Sequence, residues 1–132
     1  MGANVDMVTK KKQTILLIED DSWLAELEET TLTNAGYSVL SARYAQTAIE
    51  SIDAQIPDVI VLDVLLDGAS AFTLLNELQS HDDTQQIPII LCTNLAEQFS
   101  STDMSAYGIQ RVVNKTTMHP DDLVAAVRTV LP

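Results

Sequence analysis

The sequence predicts a doubly wound α/β fold, a five-stranded parallel sheet with helices on both faces. Three observations lead there. Short apolar runs alternate five times with stretches of helical spacing. The central strands are apolar almost throughout, as strands covered on both faces must be. The 132 residues suffice for one compact domain and leave no room for a second.

Taken in order, residues 1–13 have no periodicity and read as a flexible arm ahead of a domain spanning 14–132. "TILLIE" (14–19) is a short apolar run ending in acid, a buried strand. "DSWLAELEETTLTNAG" sets Leu24, Leu27 and Thr31 on one helical face, with Gly36 as its stop. "YSVLSA" (37–42) is a strand rich in β-formers, and "AQTAIESIDAQ" carries Ala45, Ala48, Ile49 and Ile52 at helical spacing before Pro57. "DVIVLD" (58–63) is the third strand. "SAFTLLNELQ" is a helix with Phe72, Leu75 and Leu78 along one side. "IPIILCT" (87–93) is the fourth strand, with Pro88 tolerated near its start. "LAEQFSSTDMSAYG" is a more polar helix, and "QRVVNK" (110–115) the fifth strand. "HPDDLVAAVRTVL" places a proline and acids where a helix N-terminus favours them.

Composition excludes several function classes. A formal net charge of −12 repels phosphate backbones, which argues against direct nucleic-acid binding. Cys92 is the single cysteine, so there is no disulfide framework and no zinc cluster; within "PIILCTN" it reads as a buried, inert thiol. The N-terminal "MGANVDMVTKKKQ" lacks the apolar core of a signal peptide, and the apolar runs are too short to span a membrane. A reducing cytoplasm fits these features.

Parallel sheets place ligand sites outside the carboxyl ends of their strands. Strand one ends on Glu19, Asp20 and Asp21, strand three on Asp63, strand four on Thr93 and strand five on Lys115. One acid at a strand end is ordinarily solvated or caps a helix. Several carboxylates, a hydroxyl and an ammonium on one edge form a candidate site. Clustered carboxylates with a backbone carbonyl bind a hard cation such as Mg²⁺. A carboxylate can also act as nucleophile, giving an aspartyl phosphate. Phosphoryl transfer then asks mainly for position and charge neutralisation.

These residues resemble the receiver (CheY-like) domain of bacterial two-component response regulators over residues 14–131, and the separations between Asp20, Asp63, Thr93 and Lys115 agree with that family. The resemblance implies a flavodoxin-like (βα)5 sheet of order 2-1-3-4-5. It also implies a phosphoryl group accepted onto Asp63 from a histidine kinase or phosphotransfer protein, then slowly lost, in a chain that is not an independent enzyme. Within "LLIEDD" it makes Glu19 and Asp20 the acidic pair that holds Mg²⁺, with Asp63 and the Leu65 carbonyl completing the protein ligands. Thr93 would bond a phosphoryl oxygen and Lys115 would pair with the phosphate. Asp21 falls at a variable position, where capping the first helix is a sufficient role. The downstream protein target stays unnamed, and a homodimer stays open.

Departures from the pattern bear on the readout more than on the chemistry. Asp67 and Ala71 stand where the family usually has proline and glycine, Asn94 where it has a small residue, and Thr116 where it has proline after the lysine. Val112 replaces the usual aromatic switch, and Tyr107 is the nearby aromatic that could substitute, although packing under a loop is the plainer role. Activation is therefore expected to act through the loop after Thr93 and the polar helix at 95–105, whose apolar anchors are Leu95, Phe99 and Met104. Two rival classes fit the residues less well. A receiver-like interaction module that is never phosphorylated conflicts with the intact acid, acceptor, Thr and Lys set. An enzyme of this topology conflicts with "EDDSW" after strand one, which is no phosphate loop, and with "LDVLLD", which lacks the D-x-D of dehalogenase-type phosphatases.

Overall fold

The computed structural model describes residues 12–63, 68–93, 105–115 and 119–131, with side chains omitted at 68–71. Its elements run β1 (Thr14–Glu19), α1 (Ser22–Asn34), β2 (Ser38–Ala42), α2 (Ala45–Ala54), β3 (Val59–Asp63), α3 (Gly68–Gln79), β4 (Ile89–Thr93), β5 (Ile109–Asn114) and α4 (Pro120–Val130). All neighbouring strands pair in parallel, in the order β2-β1-β3-β4-β5. The expected sheet is therefore present. The expected helix at 95–108 falls mostly outside the described residues, although 105–107 are helical.

The period-2 alternation of a strand divides the core in two. Leu16, Ile18, Ile60, Leu62, Ile89 and Leu91 face α2 and α3, where Ala48, Ile52, Leu74, Leu75 and Leu78 meet them. Ile15, Leu17, Val59, Val61, Ile90 and Cys92 face α1 and α4, meeting Leu32, Leu123, Val124 and Val127. Extending that alternation by one step carries Glu19 and Asp63 toward the α1/α4 side, and Thr93 toward the other. Parity thus assigns each end residue to a face before any side-chain contact is considered.

Local chemistry sets the boundaries. Asp21 caps α1, its Oδ1 accepting from the Trp23 and Leu24 amides at 2.9 and 3.0 Å. Gly36 ends the helix with φ 103°, a value that disfavours any side chain. Pro120 opens α4, and Asp122 accepts from the His119 amide at 2.8 Å. Asp58 lies just before β3 rather than in it, because its Oδ2 accepts from the Thr14 amide at 2.7 Å. Helix α1 departs from expectation: it buries Ala25, Glu28 and Leu32, while Leu27 is exposed. The stripe that meets the sheet contains a charge, so the apolar pattern pointed to the adjacent face.

Candidate functional site

The site begins with strand register. Parallel pairing sets Glu19 beside Asp63, Asp63 beside Cys92, and Thr93 beside Asn114. The central strand therefore delivers its terminal carboxylate between the ends of two other strands. Asp63 is 1% exposed and Glu19 fully buried, whereas Asp20, one residue on, is exposed. Lys115 follows the last residue of β5, and its amide donates to the Thr93 carbonyl at 3.0 Å. Its side chain reaches back over the sheet edge to the buried acids.

The Lys115 ammonium, with its side chain 6% exposed, lies 2.5 Å from Asp63 Oδ1 and 3.1 Å from Glu19 Oε2. Glu19 Oε1 also accepts from the Asp21 amide at 2.9 Å. The Asp63 contact is a charge contact without hydrogen-bond alignment, for neither Asp63 oxygen has a hydrogen-bond partner. The short separation still binds the pair, since ion-pair attraction depends on distance more than on direction.

Sequence reading missed one member of this group. Glu28, on the buried stripe of α1, is 4% exposed, and neither of its oxygens has a hydrogen-bond partner. Glu19, Glu28 and Asp63 each offer an oxygen within 4.8 Å of the others. Burial, reinforced by Asp63, pushes Glu28 up to about 9. Glu19 rises to about 8, through burial and then Asp63. Lys115 is also raised: burial opposes its charge, but Asp63 and then Glu19 outweigh that. Buried Cys92 is raised well above its usual value, first by burial and then by Asp63, as an inert thiol should be. Ala25, Glu28 and Leu32 share one side of the helix, but in sequence Glu28 patterns with a solvated face.

Four of the expected site residues thus lie at this edge: Glu19, Asp63 and Lys115 in direct contact, and buried Thr93 at the end of β4. Asp20 is at its exposed rim. Leu65, Asp67, Asn94 and Thr116 lie outside the described residues, as does the loop and helix assigned to activation between 94 and 104. Tyr107 is half-buried, its ring centroid 5.6 Å from that of Phe72, and its carbonyl accepts from Gln79 at 3.0 Å. Both it and Val112 pack against the α2/α3 side of the core.

As chemistry, the edge combines a recessed carboxylate able to act as a nucleophile, an ammonium able to meet anionic oxygen, and carboxylates suited to a hard cation. Comparison with known proteins identifies the family. The response regulator receiver domain family matches residues 15–128. The phosphate regulon transcriptional regulatory protein PhoB of Pseudomonas aeruginosa is 33% identical over 119 residues, covering 90% of this chain and 52% of PhoB. The probable transcriptional regulator ycf27 of Porphyra purpurea is 30% identical, covering 92% of this chain and 48% of that protein. This chain spans about half the length of such relatives. A candidate response regulator from Chloroflexus aurantiacus J-10-fl superposes with a TM-score of 0.75 at 32% identity, covering 92% of this chain and 98% of that one. The chemotaxis response regulator CheY4 of Vibrio cholerae shares the fold, with a TM-score of 0.80 at 21% identity over 92% of this chain and all of CheY4. The chain belongs to the response regulator receiver domain family.

Proposed function

We propose that this receiver domain accepts a phosphoryl group onto Asp63 from the phosphohistidine of a sensor kinase or phosphotransfer protein. The observation that carries the reading is the Asp63 carboxylate, 1% exposed at the end of the central strand and 2.5 Å from the Lys115 ammonium. In the transfer, an Asp63 oxygen forms a bond to phosphorus as the phosphorus–nitrogen bond breaks and imidazole leaves. Lys115 then pairs with the added phosphoryl oxygens, and Thr93 donates its hydroxyl to one of them. Glu19, Asp20 and Asp63, with the Leu65 carbonyl, would hold Mg²⁺. The buried carboxylates present fit such an ion, having oxygen donors and excess negative charge. The ion would supply charge neutralisation for the transferring group.

The relatives named as transcriptional regulators are about twice as long as the matched segment. An acidic chain of net charge −12 is itself poorly suited to DNA, so the signal is read as passing through protein contacts. Among the described residues, no helix is long and apolar enough to cross a membrane.

Incubation with acetyl phosphate and Mg²⁺ should add about 80 Da by mass spectrometry, one phosphoryl group. Asp63→Asn should abolish the addition. Labelling that persists in that variant would refute the acceptor, and an unlabelled wild type would favour an interaction module.

A further inference from the structure

Glu28 stands outside the chemistry just assigned. It comes from α1 rather than a strand end, and both its oxygens are unpartnered at 4% exposure. An ionised carboxylate can only accept, so Glu19, Glu28 and Asp63 cannot satisfy one another as anions. Such burial is costly unless a positive group stands among them. Lys115 supplies one positive charge to the three. With all three ionised, two negative charges are left over, the charge of one divalent cation.

Geometry points the same way. Oxygens on opposite sides of a bound ion stand about 4 Å apart across Mg²⁺ and about 5 Å across Ca²⁺. The three carboxylates each offer an oxygen within 4.8 Å of the others, so small side-chain adjustments would let them converge on a single ion. A cavity also adjoins the group. Of about 130 Å³, it lies between α1 and α4 and is walled by Leu24, Leu27, Pro120 and Leu123, with Glu28 and Lys115 in its lining.

We propose that Glu28 is a direct ligand of the divalent cation, so that this chain holds its ion with three buried carboxylates, Glu19, Glu28 and Asp63, and with Asp20 at the rim. This rests on the cation reading above and deepens it by adding a ligand from α1. A further anionic ligand tightens binding of a hard cation and draws it inward.

Calorimetric titration with Mn²⁺ at fixed pH tests this on wild type, Glu28→Gln, Glu28→Leu and Asp20→Ala. Leucine suits the apolar stripe of α1, so that variant should fold even if the glutamine variant does not; circular dichroism verifies each fold. Both Glu28 variants should bind Mn²⁺ at least about tenfold more weakly than wild type. The thermal upshift that Mn²⁺ gives the wild type should shrink with them. A folded Glu28 variant that binds Mn²⁺ as tightly as wild type overturns the proposal; if Asp20→Ala then loses binding, the cation reading survives alone. A wild type that binds no Mn²⁺ at millimolar concentration overturns both.

Discussion

The two ends of the β1–β3 pair use the same chemistry to opposite effect. At the amino end, exposed Asp58 accepts from the Thr14 amide at 2.7 Å, and its own amide donates to the Thr14 carbonyl at 2.8 Å. That carboxylate has water on one side and a backbone donor on the other. At the carboxyl end, Glu19 and Asp63 are buried with Glu28, and a single ammonium faces them. The first acid tidies a strand start. The second group leaves the Glu28 and Asp63 oxygens without hydrogen-bond partners, and burial raises Glu19 and Glu28 so that they hold protons near neutral pH. Stability is thus conceded at one end of two strands that are well satisfied at the other.

The sharpest way to test that contrast is to remove the ammonium. Lys115→Met keeps the stem length but leaves the buried acids without a positive partner. Breaking a buried pair in this way should cost about 3 kcal/mol, seen as a lower urea midpoint in metal-free buffer. A midpoint unchanged from wild type would mean that the ammonium does not hold this end together.

The pH profile probes the same buried acids more gently. The carboxyls of Glu19 and Glu28 are raised to about 8 and about 9 in the folded protein, from an ordinary 4.5. Between those values the folded state keeps protons that the unfolded chain has released. Their contribution is full below about 4.5, declines as pH rises, and levels off above the folded values. In chelator-treated buffer, stability should fall by on the order of 2–3 kcal/mol between about pH 6 and pH 7, about 1.4 kcal/mol per pH unit for each retained proton. Stability that rose across this window would contradict the buried acid cluster.

What could be read beforehand follows from the kind of signal each part leaves. Strands such as "VIVLD" are apolar on both faces, so their burial is written in composition, and the carboxyl-edge rule then located Asp63 and Glu19. Lys115 was visible as a strand end, one residue beyond where β5 stops. Glu28 was not visible, because it sits in "LEET" among residues that pattern as a solvated face. Its burial comes from the alternation of β1 and β3, which aims Glu19 and Asp63 at α1. That is a relation between elements far apart in the chain, and the single-helix pattern does not contain it. Leu27 misled for the same reason: the apolar residue faces outward, toward the groove beside α4.

Replacing that hidden carboxyl is the next test of the contrast. Glu28→Leu removes an unpartnered carboxyl and fills the apolar stripe between Ala25 and Leu32. Without metal, the variant should gain about 1–2 kcal/mol, as replacing a buried, unpartnered polar group by an apolar one often does. Urea unfolding at neutral pH measures it. A loss of stability would show Glu28 to be well satisfied in the native state, contrary to the electrostatic contrast drawn here.

The smallest effect belongs to the amino end. Asp58→Ala deletes the carboxylate that caps the start of β1, but the Asp58 amide keeps its bond to the Thr14 carbonyl. Thr14 is buried, so its amide loses a partner that water replaces only in part. The cost should be about 1 kcal/mol, the usual net worth of one such bond. The urea midpoint should drop slightly with an unchanged slope, because the surface exposed on unfolding is the same. Acetyl-phosphate labelling of Asp63 and affinity for Mn²⁺ should not change, since the lost charge lies at the opposite end of the strands. If Asp58→Ala cost as much as Lys115→Met, or weakened labelling, the two ends would share one energetic network. The contrast between a structural acid and a functional one would then be lost.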